Sequence, residues 1–311
     1  MTPLHALLDR RQSVILMGIL NRTPDSFSDG GRFLDDGAAI RRVEDMIAEG
    51  ASIVDVGAES TRPGSPPVPD DEQIARLGGI VREAAARGVL VSIDTTSPAV
   101  AARALDDGAT VINSVSLDAA AELGALAARR GAALVLMHSR GPMAAMAGFS
   151  AYPEDGYRDV VADVAREWSA AADRAIGRGL PRADLVLDPG LGFFKSARQS
   201  LELCARLGEL VALGFPVLAG PSRKSFLARA AAGDGPPAPP GERIGGSLAA
   251  AIACADRGAA VLRVHDVAAT RQALAVAAAI RRAAPAQSSL GARPAKRRPL
   301  PPNPRGGDRR A

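Results

Sequence analysis

The sequence predicts an α/β protein folded as a single (β/α)8 TIM barrel. Two observations carry that expectation. Eight short apolar runs recur through residues 1–282, and from the second onward each is preceded by a glycine that ends a helix-like stretch. Glycine just past a helix supplies the left-handed cap, and continuous Val/Ile/Leu runs suit strands buried on both faces of a parallel sheet. An open doubly wound sheet is the rival architecture. Eight strands without a glycine-rich dinucleotide fingerprint count against it.

The elements follow in order. The first apolar run covers 14–20. Residues 36–49 then read as a helix, with Ala39, Val43, Met46 and Ile47 on one stripe and Arg41, Arg42, Glu44 and Asp45 mostly opposite. Gly50 precedes the run 52–57, Gly88 precedes 90–94, and Gly108 precedes 110–114. Gly131 precedes 133–138, Gly179 precedes 185–188, Gly214 precedes 216–219, and Gly258 precedes 260–265. Long Gly- and Pro-rich loops follow strands one and two, over 23–31 and 60–69, and loops of this kind above a barrel act as lids.

Composition narrows the class. With 47% hydrophobic and only 3% aromatic residues, the core is expected to be aliphatic. Cys204 and Cys254 cannot build a disulfide framework and read as small buried hydrophobes in helices. Neither a secretory segment nor a membrane-spanning run is evident, so a cytoplasmic protein without a membrane partner is expected. The chain carries +4, but residues 283–311 alone hold +6, which leaves −2 for 1–282. The basicity belongs to a Pro/Arg-rich tail expected to be disordered, and nucleic acid is not the expected partner.

Barrel active sites lie at the carboxyl ends of the strands. In this chain those ends carry Asn21, then Asp55 leading to Glu59 and Thr61-Arg62, then Asp94-Thr95, Asn113-Ser114 and His138. They continue with Asp188, Ser222-Arg223-Lys224-Ser225 and Arg263-Val264-His265-Asp266. A strand-end cap or a polar layer is a fair reading of Asp55, Thr95 or Asp266 alone, but a poor one for all eight ends. Asp94, Asp188 and Asn113 suit a planar heterocycle with adjacent N–H donors and ring acceptors, and Lys224 can donate to its carbonyl or nitrogen. Asn21, Thr61, Arg62, Arg263 and His265 suit phosphate, Arg263 in bidentate fashion. Ser225, opening a helix, offers its hydroxyl and free N–H groups to a carboxylate. No nucleophile triad and no zinc spacing is present.

Lysine is nearly absent, at three residues among 38 Lys and Arg, and two of the three, Lys195 and Lys224, lie in glycine-flanked segments. Lysine is a compact point charge where arginine is a planar fork, so a retained lysine marks a task a guanidinium cannot do. Lys224 falls among the ring-binding groups. Lys195 has no assigned partner and is expected to be a loop or helix-start residue.

Taken together, Met17-Gly-Ile-Leu-Asn21 with Thr23–Gly31, Asp55-Val-Gly57 through Glu59–Gly64, Ser92-Ile-Asp-Thr95 and Met137-His138 resemble the dihydropteroate synthase family of pterin-binding barrels. Asp188–Phe193, Ser222–Ser225, Glu242–Ala249 and Arg263–Asp266 continue the resemblance, which spans 14–282. It implies condensation of 6-hydroxymethyl-7,8-dihydropterin diphosphate with p-aminobenzoate, giving 7,8-dihydropteroate and diphosphate, in a homodimeric, magnesium-using enzyme. It further implies that Asp94, Asn113, Asp188 and Lys224 hold the pterin with Phe193 beside it. Thr61, Arg263 and His265 would take the diphosphate, Asn21 the magnesium, and Ser225 the aminobenzoate carboxylate. The chain departs from the family pattern at Arg22, Ser114 and Phe194, where a small or β-branched residue, an aspartate and a glycine are usual, and Thr96-Ser97-Pro98 lacks a common lysine. A non-catalytic pterin- or phosphate-binding paralogue and a methyltetrahydrofolate-dependent methyltransferase are the competing readings.

Overall fold

The structure, a computed structural model, describes residues 1–11, 13–22, 36–59, 65–233 and 235–283. The lid sequence 23–31, Thr61 with its neighbours to residue 64, and the tail from 284 lie outside the described residues. The eight apolar runs form eight parallel strands: β1 (Ile15–Asn21), β2 (Ile53–Gly57), β3 (Leu90–Asp94), β4 (Val111–Ser114), β5 (Ala133–Met137), β6 (Leu185–Asp188), β7 (Leu218–Ala219) and β8 (Val261–Val264). They run β6-β5-β4-β3-β2-β1-β8-β7 around the sheet. The ring closes where Leu187 bridges Val217 and donates its amide to the Pro216 carbonyl at 2.9 Å.

The helices are α1 (Pro3–Arg10), α2 (Asp36–Glu49), α3 (Asp70–Leu77), α4 (Ile80–Ala86), α5 (Pro98–Asp106) and α6 (Ala120–Arg130). They continue as α7 (Val160–Ile176), α8 (Ala197–Ala205), α9 (Leu207–Val211), α10 (Ser225–Ala232), α11 (Ile244–Asp256) and α12 (Val267–Ala283). The glycine junctions behave as the sequence predicts. Gly131 ends α6 at φ 63°, in the left-handed region, with its amide bonded to Ala127 O. Among the described residues no helix is long and apolar enough to cross a membrane.

Side chains alternate along every strand. Outward residues such as Leu16, Val54, Ile93 and Leu136 pack against the helices in the main core. Inward residues Met17, Ile53, Val111, Val135, Val186 and Val261 fill the lower barrel. Leu4 and Leu8 of α1 belong to that inner cluster, so α1 stoppers the lower end. Thr2 caps α1 by accepting from the His5 amide and donates its hydroxyl to Asp184 at 2.7 Å. The sequence reading passed over α1, although Thr2-Pro3 is an N-cap followed by proline in the first turn.

Candidate active site

One step further up, the inward stripe of the strands turns polar. Arg263 on β8 donates through Nε to Asp55 Oδ2 at 2.6 Å and through Nη2 to Asp94 Oδ2 at 2.7 Å. Asn113 Nδ2 donates to the same Asp55 oxygen at 3.0 Å. Asp55 is wholly buried, and its Oδ1 has no hydrogen-bond partner among the described residues. Asp94, Asn113 and Asp188 are buried beside it. Asp55, for which a strand-end cap was a fair reading on its own, is thus the inner hub of the site. Its position two residues before Gly57 on an inward stripe carried that signal.

Burial dominates the electrostatics. It pushes the Asp94 carboxyl up to about 7, opposed by Arg263 and reinforced by Asp55, Glu59 and Asp188. Burial also raises Asp188, while Lys224 and the Gly190 amide, donating to Oδ1 at 2.7 Å, pull it back. Burial lowers Lys224 to about 8 against the attraction of Asp188. For Arg263 burial acts downward, but Asp55 and Asp94 outweigh it and hold the guanidinium above its ordinary value.

Lys224 precedes α10 and donates Nζ to Leu191 O at 2.7 Å, with its ammonium 4.5 Å from the centre of the Phe193 ring. Phe193 meets Phe149 edge-on at 5.4 Å. Ser225 opens α10 and lies 2.9 Å, Oγ to Oγ, from Ser150. Lys224, Phe193, Asp188 and Ser225 therefore share one side of the barrel mouth, as expected.

Asn21 and His265 lie on the other side, in a cavity of about 320 Å3 that Arg42, Arg223 and Asp266 also line. Ser222 Oγ accepts from the His265 amide at 3.2 Å and lies 3.0 Å from Nδ1. Burial, with Arg263 and Arg223, lowers His265 to about 4 and keeps it neutral. Arg223, at φ 59°, pairs with Asp266 at 2.9 and 2.5 Å, and Arg42 donates to His265 O at 3.2 Å. The sequence reading put Arg42 on the outer face of its helix and so missed it. Thr61, assigned to the diphosphate, lies outside the described residues.

Lys195 lies, as expected, in the loop at the start of α8, but it is not without a partner. It is fully buried, and Nζ donates to His138 Nδ1 at 3.0 Å and to Phe193 O at 3.0 Å. The departures also find local roles. Arg22 is buried and ties Arg76 O at 2.9 Å to Asp36 at 2.7 Å, joining the segments that follow β1 and β2. Ser114 Oγ accepts from the Ser116 amide at 3.3 Å. Phe194 sits at φ 47° with its ring edge-on to Tyr152 at 6.2 Å.

For magnesium, the described residues offer no group of three His, Cys, Asp or Glu that could hold a metal. Asn21 alone, with its amide oxygen beside Gly57, fits an ion whose other ligands come with a diphosphate.

The site is thus a buried polar layer above a sealed barrel, with a cavity lined by Asn21, Arg42, Arg223 and His265 beside it. The model of the family described as "Pterin binding enzyme" matches residues 17–265. The chain is 44% identical over 274 residues to a dihydropteroate synthase of Mycobacterium leprae, covering 88% of this chain and 95% of that one. It also superposes on the Thermus thermophilus dihydropteroate synthase in complex with 4-aminobenzoate, at 42% identity and a TM-score of 0.73, over 86% of this chain and 95% of the other. A Yersinia pestis dihydropteroate synthase with a sulfonamide drug complex matches at 35% identity and a TM-score of 0.77, covering 87% and 95%. The chain belongs to the dihydropteroate synthase family of pterin-binding enzymes.

Proposed function

We propose that this protein joins 6-hydroxymethyl-7,8-dihydropterin diphosphate to p-aminobenzoate, releasing diphosphate and yielding 7,8-dihydropteroate for folate biosynthesis. The observation that carries this reading is the buried layer of Asp94, Asn113 and Asp188 facing Lys224. Two carboxylates raised by burial gain most from a ligand that brings adjacent N–H donors, and an amide and an ammonium complete a set for a ring with both donors and acceptors.

In this reading Asp94 and Asp188 accept from the ring N–H groups, Asn113 pairs with its edge, and Lys224 donates to a ring acceptor with Phe193 alongside. The diphosphate takes the ring N–H of His265, the hydroxyl of Thr61 and N–H groups of Arg263, two of whose five are used by Asp55 and Asp94. Magnesium, held by Asn21 and the diphosphate oxygens, supplies Lewis-acid assistance when bound. The C–O bond to diphosphate breaks, the electron-rich ring stabilises the methylene left behind, and the arylamine nitrogen forms the new C–N bond and then loses a proton. Ser225 and the N-terminus of α10 receive the arylamine carboxylate. The protein orients both partners and neutralises leaving-group charge, which is why it needs no nucleophile of its own. A homodimer in the cytoplasm belongs to the same proposal.

A steady-state assay tests it. Diphosphate release must require the pterin diphosphate, p-aminobenzoate and magnesium together; release with the arylamine omitted, or none from folded protein, refutes the reading.

A further inference from the structure

The structure assigns Lys195 the role of a positioning residue: with His138 and Glu167 it fixes the loop between β6 and α8, and through that loop Phe193 and Lys224. This rests on the proposed reading of Phe193 and Lys224 as substrate contacts.

Every backbone carbonyl from Gly190 to Phe194 has a donor. Gly190 O takes the Phe193 amide at 3.1 Å, and Gly192 O takes the Ser150 amide at 3.3 Å. Leu191 O takes Lys224 Nζ at 2.7 Å, Phe193 O takes Lys195 Nζ at 3.0 Å, and Phe194 O takes the Tyr157 hydroxyl at 3.0 Å. The loop is held from the site side by one lysine and from behind by the other.

Lys195 is anchored in turn. Burial keeps His138 neutral, and its Nε2–H donates to the Glu167 carboxylate at 2.9 Å, which leaves Nδ1 to accept from Lys195 Nζ at 3.0 Å. Arg140 clamps Glu167 at 2.9 and 2.5 Å and stacks 3.6 Å over the Tyr157 ring, which closes the circuit at Phe194. Gly190 completes it, because a Cβ there would lie 2.1 Å from His138 O and 3.3 Å from Lys195 Nζ. Diverging donors from a single point suit an ammonium and not a planar guanidinium. Burying an ammonium is unfavourable when an apolar side chain would fill the space, so a purely packing role does not account for it.

Lys195→Met keeps the apolar stem and removes the donors. The expected result is a dissociation constant for the pterin diphosphate raised about tenfold or more and kcat lowered about fivefold, with the KM for p-aminobenzoate changed less than about threefold. The split arises because Phe193 and Lys224 face the ring, whereas Ser225 at the N-terminus of α10, proposed for the arylamine carboxylate, lies outside the loop. A folded variant with both constants within about twofold of wild type, or with both substrates weakened equally, overturns the role. If Lys195→Met fails to fold, Tyr157→Phe decides: it removes one bond to the same loop, should raise the dissociation constant for the pterin diphosphate about threefold or more, and overturns the role if it does not. A wild type without turnover sinks the proposed function instead. The loop claim then stands or falls on amide exchange over 190–194, expected about tenfold faster in Lys195→Met and overturned if unchanged.

Discussion

Lys224 carries the same charge as any of the arginines that replaced lysine elsewhere, yet its surroundings suit only a point donor. Nζ meets Leu191 O and the face of Phe193 together, and a Cβ on Gly220 would lie 3.9 Å from it. Lys224→Arg should therefore lose about 100-fold in kcat/KM for the pterin diphosphate, within about fivefold of Lys224→Ala. The pH profile of the same constant follows from two buried groups. Protonation of Asp94 removes activity as pH falls through about 7, and loss of the Lys224 proton removes it as pH rises through about 8. His265, already neutral above about 4, adds no limb near the ordinary imidazole value. Lys224→Ala should abolish the alkaline limb alone; a limb that persists contradicts the assignment. Most of these residues were legible because strand ends point at one place. Asp55 was legible as a strand-end carboxylate but not as the hub, because a carboxylate one turn of the pleat deeper is read equally well as a cap. Lys195 was not, because its partner His138 is distant in sequence and meets it only once the barrel closes.

At the scale of elements, the contact between α6 and α7 is set by an absent side chain. A Cβ on Gly124 of α6 would lie 2.8 Å from both Cα and Cβ of Ala175 on α7. Gly→Ala in a helix interior ordinarily stabilises by about 1 kcal/mol, whereas Gly124→Ala should destabilise by about 1–3 kcal/mol because backbone atoms must move. Urea denaturation decides the sign. At the lower end of the barrel, Leu4→Ala should cost about 2–5 kcal/mol, as for other buried leucines. It should leave kcat/KM unchanged at 25 °C, since α1 lies at the end away from the site. Helix α2 was read from its stripe with both ends correct. β7 was read two residues too long, because Pro216 has no amide for the ladder and the strand narrows there.

For the whole molecule, architecture followed from repetition. Seven glycine-to-strand junctions leave few alternatives to a ring of parallel strands, and only pairing across β6 and β7 was invisible, being a matter of closure and not of pattern. The surface is likewise beyond reach of periodicity. Arg206 meets Glu202 and Glu209 at helical spacing, but its pairing with Asp159, which starts α7, leaves no trace in the pattern.

The closure has a consequence for binding. Between β6 and β7, among the described residues, the ladder thins to the single Leu187–Val217 bridge. Asp188 leaves one bank of that seam, and Lys224 follows the strand on the other. A ring gripped by both would act as a stitch, tying the weakest join of the cylinder with its own hydrogen bonds. The Leu187 amide, which spans the seam to Pro216 O at 2.9 Å, should exchange about tenfold or more slowly when a pterin is bound at saturation, while amides between β2 and β3 change little. Equal protection at both joins would deny the stitch. On this view the substrate is also the last strand-to-strand tie of the barrel that processes it, and release of product loosens the wall it came from.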